Sequence, residues 1–313
     1  MKVLVTGCAG FIGSHLVDKL LLDGHLVIGL DNFNDYYDPK IKESNLKKAL
    51  ENKNFKLYRQ DILNFEELKK IFQQQRPGKV VHLAARAGVR PSIQNPLLYS
   101  RVNVGGTVNL LKLSVDFKVE QFVFGSSSSV YGNSKRLPFS EDDPCDSIIS
   151  PYGSSKRAAE FWVESFYRTY GLKSVILRFF TVYGPRGRPD MAPALFTKAI
   201  IGGEPIIQFG DGSASRDYTY IDDIIDGILK ATGKYFDFEV INLGNNHPVS
   251  LNELIGTLEK TVNKKAIIEQ APNQKGDVEK TWANIEKAKK LLNWAPKTSI
   301  SLGLKKYHNF LVN

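Results

Sequence analysis

The feature that most restricts the fold lies within the first thirteen residues. A β-branched run, Val3-Leu4-Val5, is followed at once by Gly7-Cys8-Ala9-Gly10-Phe11-Ile12-Gly13 and then by a helical pattern from Ser14 to Asp23. Glycines at these spacings let the chain turn sharply, bring backbone N–H groups up to an anion, and let helix and strand pack closely. The same rhythm then recurs. Leu26-Val27-Ile28-Gly29-Leu30, Val80-Val81-His82-Leu83, Phe122-Val123-Phe124 and Val175-Ile176-Leu177 read as buried strands, with Phe65 to Gln75, Tyr99 to Phe117 and Ser154 to Tyr170 as helices. Strand alternating with helix predicts an α/β chain built on a doubly wound parallel sheet covered on both faces.

After Arg178 the pattern breaks into proline and glycine punctuation (Gly184-Pro185, Gly202-Gly203, Gly210-Asp211-Gly212). A smaller α/β region therefore begins near 181. The Ile221 to Ala231 helix and the Val240-Ile241-Asn242-Leu243 strand read as a return to the main sheet, so that region is discontinuous. The expected division is 1–180 with 216–244 for the larger domain, and 181–215 with 245–313 for the smaller.

Composition excludes several classes. With 42% hydrophobic and 24% charged residues the chain can bury a core, which rules out global disorder. The best apolar stretch, Leu16 to Leu30, is interrupted by Asp18, Lys19, Asp23, Gly24 and His25, far from the roughly 20 apolar residues of a bilayer span. Strand-like sequence from Lys2 leaves no room for a signal peptide, and Cys8 and Cys145 form no metal or disulfide pattern, so a cytoplasmic location is expected. The net charge of +9 fits an anionic partner or a lysine-rich solvated face. No basic run or basic-aromatic stripe accompanies it, and no nucleic-acid partner is expected. The five histidines stand singly, without metal spacing.

The residue that defines the ligand is Asp31, at the end of the second strand and 18 positions after Gly13. A carboxylate there accepts hydrogen bonds from ribose hydroxyls and repels a 2′-phosphate, favouring NAD over NADP in a Rossmann-type sheet. The Gly-x-x-Gly-x-x-Gly spacing resembles the short-chain dehydrogenase/reductase superfamily, which places an Asp-hydrophobic pair after the third strand against adenine; Asp61-Ile62 matches it. Cys8, inside the loop without a His-Asp partner, reads as a spacer.

Tyr152-Gly153-Ser154-Ser155-Lys156 sets a phenol and an ammonium one turn apart on one helix face. An ammonium near a phenol favours the phenolate, so the pair suits a general base. Phe124-Gly125-Ser126-Ser127-Ser128-Ser129-Val130-Tyr131-Gly132 carries four hydroxyls at the carboxyl end of a strand, where open α/β sheets place ligands.

Together these motifs resemble an extended short-chain dehydrogenase/reductase of the NAD-dependent nucleotide-sugar epimerase/dehydratase family, over nearly the whole chain. The resemblance implies a catalytic Ser127, Tyr152 and Lys156, with Ser127 lying 25 positions before Tyr152. It implies tightly bound NAD held by Gly7, Gly10, Phe11, Ile12, Gly13, Asp31, Asn32, Asp61, Ile62, Leu83, Ala84, Ala85, Asn103, Tyr152 and Lys156. Substrate contacts fall to Arg90, Ser127, Ser128, Ser129, Tyr152, Thr181, Arg188, Gln208, Phe209, Arg216 and Asp277, with no metal. The family commonly dimerises through two helices, here Tyr99 to Phe117 and Ser154 to Tyr170, which implies a homodimer.

Three segments narrow the substrate: Asp31 to Pro39, Arg86-Ala87-Gly88-Val89-Arg90, and Arg178 to Met191. They resemble UDP-glucuronate 4-epimerases, whereas UDP-glucose 4-epimerases more often carry Tyr-Phe-Asn where Phe180-Thr181 stands. A carboxylate on the sugar calls for cationic or hydroxyl donors, and Arg188, Thr181 and the serines supply them. Decarboxylases carry Glu, and 4,6-dehydratases Asp-Glu, before Val-Tyr-Gly; this chain has Ser128-Ser129. The expected reaction is epimerisation of UDP-glucuronate to UDP-galacturonate through a 4-keto sugar. The alternatives are UDP-glucose 4-epimerisation, UDP-glucuronate decarboxylation, and a non-catalytic NAD-binding regulator. Gln274-Lys275, where galactose epimerases often have an arginine, leaves a second diphosphate contact open.

Overall fold

A computed structural model describes residues 1–272 and 278–312. Six strands come first: β1 (Lys2–Thr6), β2 (Leu26–Asp31), β3 (Phe55–Arg59), β4 (Lys79–His82), β5 (Gln121–Ser127) and β6 (Ser174–Phe179). Then follow β7 (Thr181–Tyr183), β8 (Pro205–Phe209), β9 (Ser215–Tyr220), β10 (Phe238–Leu243), β11 (Pro248–Ser250) and β12 (Ile267–Ala271). The main sheet is parallel throughout, in the order β3-β2-β1-β4-β5-β6-β10. Strand order reverses between β1 and β4, and the crevice at that point is where a doubly wound sheet accepts a ligand.

The period-2 alternation of the strands divides the core into two layers. Val3, Val5, Val27, Val81, Val123 and Val175 face one side, against Leu16, Val17 and Leu20 of the Phe11–Leu22 helix and Ile224 and Ile228 of the Ile221–Gly233 helix. Leu4, Ile28, Val80, Phe122 and Ile176 face the other, against Leu68, Phe72, Leu110, Val163 and Phe166. Both faces are apolar, which is why the strands read as unbroken hydrophobic runs.

Beyond β6 the chain builds two smaller sheets, β11-β9-β7 and β12-β8. β9 pairs with β7 and β11, so the return to the main sheet is made by the Ile221–Gly233 helix and β10, which lies beside β6. Asp217 fastens this corner. Its carboxylate accepts from the backbone N–H groups of Asn245, Asn246 and Ala283.

Among the elements that build and cover the first five strands of the main sheet, the hydrophobic rhythm misses β3 and the Pro39–Leu50 helix. That helix is lysine-rich, and Lys42 and Asn45 lie buried on it beside Leu46 and Ala49. The Tyr99 to Phe117 helix is also not continuous. A short turn, Pro96–Tyr99, runs into a π-helical stretch, Ser100–Gly105, and only then into the α-helix Gly106–Asp116. The packing of Ile62 on Gly106 leaves no space for a Cβ there. The widened turn before it turns Asn103 into the protein, as such turns often do near functional sites.

Candidate active site

One cleft of about 490 Å³ opens along the carboxyl ends of β1, β2, β4 and β5. At one end lies the glycine loop. Gly7 has φ +69°, and a Cβ there would stand 2.8 Å from the Ala84 nitrogen, so the loop and the end of β4 approach as only glycine permits. Gly13 has no room for a side chain either, because the Gly7 carbonyl lies against it. Gly10 caps the Phe11–Leu22 helix without a side-chain bond, leaving the first-turn N–H groups directed at whatever anion the cleft receives.

Asp31 closes this end. Its oxygens accept from the Ala9 and Phe33 N–H groups at 3.0 and 2.8 Å. Burial lifts its pKa, while those bonds and the Lys42 charge work against the rise. Asn32, Asp61 and Ile62 line the same end, and Asn32 donates to Asp61 at 2.7 Å. Leu83, Ala84 and Ala85 form the middle wall. They are held by His82, whose nitrogens meet Thr6 Oγ1 at 2.7 Å and Thr107 Oγ1 at 2.9 Å, while Thr6 Oγ1 accepts from the Leu83 and Ala84 N–H groups. Burial drives the His82 pKa down to about 3, so the ring is neutral.

The reactive end is assembled from β5 and the Pro151–Tyr170 helix. Ser150 caps that helix by accepting from the Gly153 N–H at 3.1 Å, with Pro151 in the first turn, and Gly171 ends it in the left-handed region. This places Tyr152 in the first turn and Lys156 one turn later. Ser92 Oγ accepts from the Tyr152 N–H, and Tyr99 packs edge-on against the phenol ring. Ser127 ends β5 and caps the short turn Ser128–Tyr131, with its Oγ 3.2 Å from both the Ser129 N–H and the Ser129 hydroxyl.

The electrostatics differ from the expectation. Lys156 Nζ donates to the Gly125 carbonyl at 2.7 Å and lies over the Phe124 ring, and burial lowers its pKa to about 8 against the pull of Glu160. The Tyr152 phenol is raised by burial, and is drawn back by a hydrogen bond with Ser127 and by the charge of Arg188. The cation acting on the phenol is thus Arg188; the expected Lys156 is turned toward a carbonyl.

Among the sequence-derived site residues, the glycine loop, Asp31, Asn32, Asp61, Ile62, Leu83 to Ala85, Ser127 to Ser129, Tyr152, Lys156, Thr181, Arg188 and Arg216 line this one cleft. Asn103 does not. Its amide is consumed by the Arg86 backbone, at 2.8 and 3.0 Å, and by Ser155 Oγ at 2.9 Å, so it fastens the loop after β4 rather than facing a cofactor. Arg90, Gln208 and Phe209 are also not in the lining; Arg90 stacks on the Phe209 ring at 4.8 Å, and Gln208 is buried. Asp277 and the Gln274-Lys275 pair lie outside the described residues. Sequence reasoning assigned no role to Tyr36, which lines the cleft beside Arg188. It is one of three aromatics in the segment after Asp31, with Phe33 and Tyr37, and nothing in the sequence distinguishes it from them.

The residues fit a dinucleotide: an uncapped helix N-terminus for the pyrophosphate, a carboxylate at the ribose position, and an apolar wall between. Comparison with known proteins agrees. The family model for GDP-mannose 4,6 dehydratase matches residues 4–307. The chain belongs to that family. A UDP-glucuronate 4-epimerase of Thermodesulfobacterium geofontis is 47% identical over 308 residues, 98% of this chain and 95% of the relative. The crystal structure of UDP-glucuronic acid 4-epimerase from Bacillus cereus, in complex with UDP-glucuronic acid and NAD, superposes with a TM-score of 0.94 at 38% identity, covering 100% of this chain and 99% of that one. A UDP-glucose 4-epimerase from Thermotoga maritima with UDP-glucose is similar at 37% identity and TM-score 0.93, with coverage of 100% and 99%.

Proposed function

We propose that this member of the GDP-mannose 4,6 dehydratase family is an NAD-dependent isomerase that interconverts UDP-glucuronate and UDP-galacturonate by inverting C4. The observation that carries the reading is the convergence of Tyr152, Ser127, Thr181 and the Arg188 guanidinium on one cleft that begins at the glycine loop. A sugar carboxylate gives the part-buried Arg188 guanidinium an anionic partner inside the cleft that a neutral sugar lacks.

When bound, NAD supplies the hydride acceptor and donor for C4. Gly7, Gly10, Gly13 and Asp31 would hold its adenosine and pyrophosphate, and Lys156 the nicotinamide ribose. Tyr152 removes the proton of the 4-hydroxyl and later returns it. Ser127 hydrogen-bonds the same oxygen, keeping it within reach of the phenol. Arg188 stabilises the phenolate form and, with Thr181, Ser128 and Ser129, holds the sugar carboxylate. Arg216 anchors the diphosphate on which the ketone turns over.

The 4-keto form of glucuronate is a β-keto acid and loses CO₂ when its carboxylate aligns with the carbonyl π system. Fixing that carboxylate therefore favours epimerisation. Among the described residues the only carboxylates lining the cleft are Asp31, at the end of β2, and Asp61, just after β3, both at the adenosine end. Among the described residues none of the cleft's carboxylates is at the Ser127 and Tyr152 end, where dehydration or decarboxylation would call for an acid group.

The division we propose is a larger unit of residues 1–180 and 216–244 that holds NAD and a smaller one of 181–215 and 245–313 that closes over the sugar, with Arg216 on β9 at their boundary and Ser127 and Tyr152 reaching the sugar from the larger unit. Exposed Phe161, Trp162 and Tyr170 on the Pro151–Tyr170 helix support a homodimer through that face. No helix among the described residues is long and apolar enough to cross a membrane. We propose a cytoplasmic location, in keeping with the free thiols of Cys8 and Cys145. The test is NMR of the products formed separately from UDP-glucuronate and UDP-glucose, with Tyr152→Phe as control. The variant should retain NAD and lose turnover by roughly 10²- to 10⁴-fold. Near-normal turnover by it, or conversion of UDP-glucose alone, would refute the reading.

A further inference from the structure

Arg188 does not stand free in the cleft. Its Nε donates to Asp190 Oδ1 at 3.0 Å and its Nη2 to Asp190 Oδ2, so one edge of the guanidinium is bound two-pronged. Nη2 also donates to the Tyr36 hydroxyl at 3.0 Å, and that hydroxyl in turn donates to Asp190 Oδ2 at 3.1 Å. The three side chains form a closed ring of hydrogen bonds. Nη1 makes no protein hydrogen bond among the described residues. Arg188 and Tyr36 line the cleft; Asp190 does not, and its side chain keeps 45% of its exposure. Asp190 therefore backs the guanidinium from the solvent side, and the unused amino group remains for a ligand.

The ring also ties distant parts of the chain together. Tyr36 sits in the segment after β2 whose first residues, Asp31 and Asn32, line the adenosine end, and its own N–H is held by Asn34 Oδ1 at 3.1 Å. Arg188 lies on the loop after β7. Gly88, at φ +100°, is the third side: a Cβ there would stand 2.7 Å from the Tyr36 hydroxyl and 3.3 Å from Arg188 Nη2. Three segments thus meet at one guanidinium.

We infer that Tyr36 and Asp190 are positioning residues that fix the guanidinium edge of Arg188, so that its free amino group restrains the carboxylate of a uronic acid sugar out of line with the 4-keto group. The inference rests on the uronate reading above. A guanidinium bound along one edge cannot rotate or snorkel away, whereas a free arginine side chain has several rotamers within reach. The restraint matters only while the ketone exists. If the carboxylate swings into alignment, the C5–C6 bond breaks, its electron pair enters the C4–C5 enolate, CO₂ leaves, and C5 takes up a proton. The product is then a UDP-4-keto-pentose, and the hydride removed from C4 is not returned.

Tyr36→Phe removes one oxygen and both its bonds, and Asp190→Asn keeps the shape while weakening the edge. The measurements are UDP-sugar affinity by calorimetry, KM and kcat on UDP-glucuronate and UDP-glucose, and the CO₂ released per epimerisation. Both variants should weaken UDP-glucuronate binding by about tenfold, with a loss at least about fivefold greater than for UDP-glucose. Both should also raise the share of decarboxylated product. Equal losses on both sugars, or an unchanged product ratio, would overturn the inference while leaving the epimerase reading intact. Failure of the unaltered protein to bind UDP-glucuronate in preference to UDP-glucose would overturn both.

Discussion

The buried charge cluster behind the reactive end offers the sharpest test of how this site is held. Glu160 and Arg178 each keep 1% of their side-chain exposure. Glu160 accepts from Arg178 Nε at 3.0 Å, Arg178 Nη2 at 2.8 Å, Arg157 Nη1 at 2.9 Å and the Ser126 hydroxyl. Arg178 Nη1 donates to the Tyr131 hydroxyl, which in turn donates a hydrogen bond to Asn242 Oδ1 on β10. The cluster therefore joins the helix of Tyr152 and Lys156, the strand residue next to Ser127, and the outer strands. In Glu160→Gln the shape persists, but the charge goes and an amide NH₂ faces a guanidinium that cannot deprotonate. Removing one member of such a buried pair costs about 3–5 kcal/mol, chiefly because the other charge is left stranded. With a urea m-value of about 3 kcal/mol/M, the unfolding midpoint should fall by roughly 1 M or more. Glu160→Leu with Arg178→Met should cost less than Glu160→Leu alone, since the fully buried Arg178 charge is no longer stranded and the Arg157 side chain that remains is 19% exposed and reaches solvent. The assay is urea unfolding followed by tryptophan fluorescence. A single-variant cost below about 1 kcal/mol, or a double variant no better than the single, would refute the reasoning.

Two further outcomes follow from burial and backbone. The His82 pKa is depressed from 6.5 to about 3, so the unfolded chain binds a proton that the native protein refuses. Its contribution is present above the unfolded value and is lost as pH falls from 6.5 toward 3, up to roughly 5 kcal/mol. The acid limb of unfolding free energy against pH should be shallower in His82→Gln, and an identical slope would contradict the assignment of a neutral ring. Gly7→Ala forces a Cβ against the Ala84 backbone at positive φ, so NAD affinity should drop by roughly tenfold or more. Calorimetry with NAD checks it, and unchanged affinity would mean that the loop does not seat the dinucleotide.

Local chemistry carried much of this architecture. The six strands read from the sequence correspond to β1, β2, β4, β5, β6 and β10, because residues buried on both faces need only be apolar and β-branched. The Gly7 to Gly13 loop and the Tyr152 to Lys156 turn were legible for the same reason: their meaning lies in spacing along one short segment. Where the local signal was weak the reading failed. Lys42 and Asn45 sit on the buried face of a helix that sequence alone presents as a solvated lysine run. The break at Ser100–Gly105, which carries Asn103, lies directly before Gly106, where Ile62, 44 residues away in sequence, leaves no room for a side chain; neither is marked by hydrophobic period.

What remained hidden was every relation between charges far apart in the chain. Sequence determined that Tyr152, Ser127 and Arg188 were present, and that a phenol on a helix start beside a glycine loop suits proton transfer. Only the tertiary structure decided that Lys156 faces the Gly125 carbonyl, that Arg188 acts on the phenol, and that Tyr36, 152 residues earlier, shares that arginine with Asp190. The physical reason is range. Backbone propensity and hydrophobic period act over a few residues and survive in a linear text, whereas the field at a buried oxygen depends on distances and on excluded water. Those quantities come into being only when the chain has closed around it.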